Sequence, residues 1–191
     1  MVIALVLIDV IKSFFDPTGP NYYPEYDSIL KNIKILLESA RYNNVIIIHV
    51  MESHSPDNKE DFEWRKLPIH CISGSFEAEP AESIEILKGE YVVHKRRYSA
   101  FFATDLDLFL REQKVSKIVL AGVKTNVCIR ATAQDAFALG YDVEVVKETV
   151  GSDRSNLHKA SLEDIQRYIG RVISMEDCLT MFEEQERRLS K

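Results

Sequence analysis

The chain has 191 residues, 46% hydrophobic and 28% charged, with only 7 Gly and 6 Pro, which suits one domain over residues 1–191 with a full-sized core and argues against disorder, collagen or a disulfide-dense miniprotein. Lys and Arg number 24 against 30 Asp and Glu, a net charge of −6 that offers no basic footprint for nucleic acid. No apolar run approaches the roughly 20 residues that cross a bilayer, so no membrane partner is expected. Three cysteines without a CxxC pair fit reduced thiols in a cytoplasmic protein.

The N-terminal MVIALVLIDV lacks a basic leader and a small-residue cleavage site, and reads as the first core strand, Val2–Asp9. Ile29, Ile33, Leu36 and Leu37 keep a spacing near 3.6 and predict a helix over Asp27–Arg41. A strand follows at Val45–Met51. Glu52–Glu90 then breaks the rhythm with Pro56, Pro68, Pro80, Gly74 and Gly89, leaving room for one short helix near Ala81–Leu87; a loop of this length in a compact domain is functional or mobile. Beyond it come a strand at Tyr91–His94 and a helix over Asp105–Gln113, with Thr104 and Asp107 spaced as a capping box. Next are a strand at Lys117–Gly122, a helix over 126–139 stopped by Gly140, and a strand at Tyr141–Val146. The chain closes with a helix over 156–169 before Gly170, a weak strand at Arg171–Ser174 and a helix from Met175 to near Leu189. Strands apolar on both faces, alternating with helices, predict a parallel sheet covered on each side: a three-layer α/β/α architecture with right-handed crossovers.

Three chemically capable residues then fall on one edge of that sheet. Asp9 ends the first strand (LVLIDVIKSFF), Lys95 the third (YVVHKRRYSAFF), and Cys128 follows the fourth (VLAGVKTNVCIRATAQDAFALGY). Ligands of open α/β sheets bind outside the carboxyl ends of the strands where strand order reverses. A helix start and a nearby ammonium favour thiolate at Cys128, and Asp9 can take and return its proton. Taken singly the residues also admit plainer roles: Asp9 as a turn former, Lys95 as surface charge within His94–Arg97, Cys128 as core packing.

The stretches LIDVIKSFF, KRRYSAFFATDLDLFLR and AGVKTNVCIRATAQDAFALGY closely resemble the isochorismatase-like cysteine hydrolases, the superfamily of nicotinamidases, isochorismatases and N-carbamoylsarcosine amidases. The resemblance covers nearly the whole chain. It implies a Rossmann-like six-stranded parallel sheet in order 3-2-1-4-5-6, a catalytic triad of Asp9, Lys95 and Cys128, and a cis peptide joining Val123 to Lys124. The Lys124 and Cys128 N–H groups would then form an oxyanion hole.

In nicotinamidases the long loop carries D-x-H-P and P-x-H-C-V-x-G-T, whose Asp and two His hold a divalent metal. This chain has Glu52-Ser53-His54-Ser55-Pro56 and Pro68-Ile69-His70-Cys71-Ile72-Ser73-Gly74-Ser75, so the resemblance implies Glu52, His54 and His70 as ligands, with Glu one methylene longer than Asp. Two imidazoles and a carboxylate suit Zn²⁺ first, with Fe²⁺ or Mn²⁺ as alternatives, and no organic cofactor is expected. Phe14 matches an aromatic that nicotinamidases stack on the pyridine ring, although core packing accounts for it equally. Trp64 is offset by three residues from their pocket Trp, and packing against the domain or a partner subunit is the plainer role.

The expected activity is therefore hydrolysis of nicotinamide to nicotinate and ammonia through a thioester. A metal-independent amidase acting on another small amide or N-carbamoyl compound is the first alternative; vinyl-ether hydrolysis of isochorismate and a catalytically silent binding domain follow. A homo-oligomer, dimer or tetramer, is expected because the family usually associates and Phe62 and Trp64 lie in the long loop.

Overall fold

The computed structural model describes residues 2–189. Six strands, β1 (Val2–Ile8), β2 (Ile46–Glu52), β3 (Tyr91–Lys95), β4 (Val115–Val123), β5 (Asp142–Gly151) and β6 (Arg171–Ile173), form one all-parallel sheet in the order β3-β2-β1-β4-β5-β6. β1 is central, and from Ile3 onward every residue of it is buried. Its side chains alternate between two cores, as a strand period of two requires. Ile3, Leu5 and Leu7 face α2 (Tyr26–Tyr42) and α6 (Met175–Leu189), where Ile33, Leu36, Cys178 and Phe182 pack; the short α1 (Lys12–Phe15) adds Phe14 and Phe15 to that layer. Ala4, Val6 and Ile8 face α3 (Leu106–Glu112), α4 (Arg130–Ala138) and α5 (Ser155–Tyr168), through Leu110, Ala133 and Ile165. The expected three layers and strand order are both present.

Three local expectations are corrected. No helix forms over Ala81–Leu87; 3-10 turns occur instead at Phe62–Arg65 and Phe76–Ala78. Ala81 N–H donates to the Val10 carbonyl, Ile84 N–H closes a single turn on the Ala81 carbonyl at 2.8 Å, and the Glu85 carbonyl accepts from the Arg41 guanidinium, so one isolated turn forms where a helix was expected. The capping box before α3 is not closed either. Thr104 Oγ1 accepts from Leu106 N–H at 3.4 Å, but Asp107 turns away to Tyr141 Oη at 2.7 Å and Arg111 Nε at 3.2 Å. The helix expected from residue 126 opens as a π-helical turn, Thr125–Ile129, which runs into α4.

Strand order reverses between β1 and β4, and the crevice there depends on close backbone approach. Gly122 sits at φ 118°, and a Cβ on it would lie 1.9 Å from the Ile8 carbonyl oxygen. Only glycine fits, and the contact sets the ends of β1 and β4, with Asp9 and the 124–129 turn beyond them, side by side. No helix among the described residues is long and apolar enough to cross a membrane.

Candidate active site

Asp9 leaves β1 in the left-handed region, φ 53°, with its N–H bonded to the Val50 carbonyl and its Oδ1 accepting from Glu52 N–H at 2.9 Å. Its other oxygen lies 2.8 Å from Lys95 Nζ, and the same ammonium lies 3.5 Å from Cys128 Sγ. Asp9 and Lys95 are completely buried and Cys128 nearly so. Three strand ends thus bring the three predicted residues together. A fully buried lysine persists only when paired, and here a carboxylate and a thiol surround it.

Their ionisation departs from expectation at one point. Burial pushes the Cys128 thiol well above its ordinary value; Lys95 opposes this, but Asp9 and Glu52 add to the upward shift. Burial thus works against the thiolate that a helix start and a lysine alone would favour. Burial also raises the Asp9 carboxyl, with Lys95 opposing and Glu52 assisting. For Lys95, burial pulls down, but Asp9, Cys128 and Glu52 together hold the ammonium well above its usual range. Carboxyl and thiol share one buried site in which a proton can pass between them.

Val123–Lys124 is a cis peptide bond, as the resemblance implied. After it, the Lys124 carbonyl accepts from Val127 N–H at 3.0 Å and Ile129 N–H at 3.2 Å. The wide π turn passes over the Cys128 N–H between them.

The long loop closes on itself beside Asp9. His54 pairs with Ile72 in an isolated parallel bridge, giving its carbonyl to Ser73 N–H and taking the Cys71 carbonyl. That places His54 and His70 around Glu52, the last residue of β2. Glu52 Oε1 lies 3.3 Å from Nε2 of each imidazole, and Glu63 completes a buried group whose donor atoms all lie within 4.8 Å of one another. Both Nδ1 atoms are engaged, His54 with Asp61 Oδ2 at 3.0 Å and His70 with the Pro68 carbonyl at 2.6 Å, so both Nε2 atoms face inward.

These residues fit a divalent cation. Both Glu63 oxygens are buried without a hydrogen-bond partner, a costly state that a cation relieves. The 3.3 Å spacing matches the edge of a tetrahedral shell with bonds of roughly 2.0–2.1 Å. Outer hydrogen bonds to Nδ1 are the usual support of metal-bound imidazoles. The electrostatics agree: burial pushes Glu63 up to about 7, with Glu52 adding to it, while Glu52 and neighbouring acceptors outweigh burial to raise His70 to about 9. The cluster calls for positive charge. Glu63 and its neighbour Asp61 were not found by sequence reasoning; D-F-E-W within a loop without periodicity gives no signal for either.

Phe14 is buried, and with Asn21, Leu67, His70, Lys124 and Val127 it lines a pocket of about 140 Å³. Trp64 does not line it. Its ring packs 5.5 Å from that of His54, against its own domain. Phe62 is 62% exposed.

A family model for the isochorismatase domain matches residues 3–177. The maleamate amidohydrolase of Pseudomonas putida is 35% identical over 180 residues, spanning 92% of this chain and 84% of that protein. Among solved structures, an isochorismatase-like hydrolase from Alkaliphilus metalliredigens superposes with a TM-score of 0.89 at 30% identity, covering 96% of this chain and all of its own. The pyrazinamidase of Pyrococcus horikoshii, solved in complex with zinc, gives 0.82 at 25% identity, covering 91% and 99%.

Proposed function

The chain belongs to the isochorismatase family, and from that premise we propose that it is a cysteine-dependent amidohydrolase converting nicotinamide to nicotinate and ammonia. One observation carries the choice of substrate: His70, a member of the Glu52–His54–Glu63–His70 group, lines the same pocket as Phe14 and Lys124. An aromatic face, a cation seat and the turn bearing Cys128 therefore border one small cavity. A flat ring carrying a carboxamide and a ring nitrogen answers all three.

In this reading Asp9 takes the Cys128 proton, and the sulfur attacks the carboxamide carbon as the C=O electron pair moves onto oxygen. That oxyanion lies against the Lys124 and Cys128 N–H groups. The C–N bond breaks and ammonia leaves with the proton held by Asp9. Asp9 then deprotonates a water that attacks the thioester, the S–C bond breaks, and the thiol is restored. Lys95 remains charged, orienting the Asp9 carboxylate and offsetting negative charge on sulfur. Glu52, His54, Glu63 and His70 would hold the divalent metal, Zn²⁺ first among candidates; bound there, it supplies a Lewis-acid anchor for the ring nitrogen. The three buried free cysteines suit a reducing, cytoplasmic setting, and exposed Phe62, Leu67 and Ile69 support self-association, which sedimentation would read as more than one chain mass.

A second reading is favoured by Lys124, a cationic residue among those lining the pocket. It suits a small amide bearing a carboxylate, the chemistry named for the Pseudomonas relative. Ammonia release from nicotinamide, benzamide and maleamate, before and after chelation, tests both. Nicotinamide should be hydrolysed best, benzamide poorly, and chelation should abolish turnover. Preference for maleamate, indifferent to chelator, would put the second reading first.

A further inference from the structure

The turn that carries Cys128 is tied from outside by one short segment of chain. Three consecutive residues, Lys124, Thr125 and Asn126, each have a side-chain partner in the stretch from Ser152 to His158, which spans the β5–α5 connection and the first turn of α5. Lys124 Nζ lies 3.3 Å from Asp153 Oδ1. Ser152 Oγ donates to Asn126 Oδ1 at 2.6 Å. His158 Nδ1 and Thr125 Oγ1 are 2.9 Å apart. These partners stand 26 to 33 residues apart in sequence, so ordinary helix or turn formation does not account for them.

We propose that Ser152–His158 is a clasp that positions the oxyanion donors of the nucleophile turn, with His158 its principal positioning residue. The inference rests on the cysteine-hydrolase reading above. Thr125 is completely buried and follows directly on the Lys124 N–H, and its hydroxyl has one partner across the turn, the His158 ring. Within the turn the Lys124 carbonyl is shared between Val127 and Ile129, and the Cys128 N–H is left out of that pair. A turn whose internal bonds are redirected needs external fixing to keep two N–H groups converging on one oxygen. Asp153 and Ser152 are more exposed than Thr125, and their contacts are weaker restraints than a hydrogen bond to a buried hydroxyl. Burial, with Lys159 nearby, lowers the His158 pKa, so the ring is neutral at neutral pH.

Two chemical probes of the same thiol separate this role from a structural one. Acetylation of Cys128 by p-nitrophenyl acetate passes through a tetrahedral oxyanion: the S–C bond forms, p-nitrophenolate departs, and the thiol proton goes to Asp9. Alkylation by iodoacetamide is a displacement of iodide with no oxyanion. In His158→Leu, acetylation should slow roughly 10–100-fold, the scale of a misplaced catalytic group, while alkylation should change less than about twofold. His158→Asn, whose amide can occupy the place of Nδ1, should recover most of the acetylation rate. Thr125→Val removes the same hydrogen bond with almost no change in shape and should repeat the pattern if the leucine variant is poorly folded. Equal slowing of both reactions, no slowing of either, or no rescue by asparagine would overturn the clasp. If the unmodified protein reacts at Cys71 or Cys178 ahead of Cys128, the nucleophile assignment itself fails and the clasp falls with it.

Discussion

At the N-terminal end of the strands, Lys117 Nζ meets Glu144 Oε1 at 2.5 Å and Arg171 reaches the same oxygen at 3.5 Å, while Arg41 and His49 both hold Glu90 at 2.7 Å. At the C-terminal end, Asp9, Glu52, Asp61 and Glu63 crowd around Lys95, Arg97 and two imidazoles. Both ends bury the same residue types. The difference is in how the acids are held: each acid at the first end is paired with a Lys or Arg, and Glu90 is held below the ordinary carboxylate range by Arg41, the Leu87 N–H and His49 despite its burial. At the second end Glu63 has the His70 imidazole at 3.8 Å in place of a Lys or Arg and is driven up to about 7, and Asp9 is raised despite Lys95. Buried charge that is matched locally stabilises; buried charge left unmatched is available to a proton, a substrate or a metal.

The sharpest break of this comparison is at Cys128. Cys128→Ala should lower amide hydrolysis roughly 10³-fold or more, as removal of a nucleophile does, while thermal unfolding moves by a few degrees at most. Retention of turnover would return the C-terminal cluster to a purely structural role.

The opposite result belongs to the other end. Glu144→Leu strands Lys117 and should cost about 3 kcal/mol in urea unfolding, the low end for a broken buried pair, because the Lys117 side chain keeps 11% of its surface exposed. Turnover per folded molecule should stay within about twofold of the parent value. Adding Lys117→Met should restore much of the loss, since apolar replacement of a whole pair is often neutral.

Next in size is the outer shell of the candidate metal centre. Asp61→Asn keeps the contact to His54 Nδ1 in shape but removes its charge, and should weaken metal retention about 10–100-fold in a competition against a chelator followed by elemental analysis. An unchanged affinity would show that Asp61 serves Arg97, 3.0 Å away, and not the imidazole.

How far the sequence reached follows the same division. Asp9, Lys95 and Cys128 were legible because parallel strands deliver their last residues to one edge, and the alternation of strands and helices is written in side-chain periodicity. Glu52, His54 and His70 came from the family resemblance. Glu63 and Asp61 were not legible: their place depends on a 3-10 turn at Phe62–Arg65 folding back over β2, and nothing in loop composition encodes that. The helix expected over Ala81–Leu87 failed for a related reason. Ala81 and Ile84 are buried at a helical spacing, but the Ile84 N–H bond to the Ala81 carbonyl closes one isolated turn, flanked by bonds to Val10 and Arg41 instead of continued as a helix. At Cys128 the helix start and the lysine that favour thiolate are visible in sequence, whereas the burial that pushes its thiol up is not.

The smallest effect tests balance at the N-terminal end by acid. Burial lowers the His49 pKa below its unfolded value of 6.5, against the pull of Glu90, and Glu90 is lowered below 4.5. For His49, the unfolded chain binds a proton more readily than the folded one as pH falls through 6.5, so stability drops from there until the folded value is passed. For Glu90, stability is complete above 4.5 and drains as pH falls below it. Protons are taken up on unfolding in both windows, and both slopes carry the same sign: stability rises with pH. His49→Gln keeps a donor for Glu90 but cannot titrate. Between pH 7 and 5.5 it should lose less stability than the parent, by about 2–4 °C in Tm, the size of roughly 1 kcal/mol in a chain of this length. Below pH 4.5 the two should fall in parallel, because Glu90 remains in both. Parallel curves across the upper window as well would mean that His49 accepts its proton as readily folded as unfolded, and that the N-terminal cluster is less tightly neutralised than its distances imply.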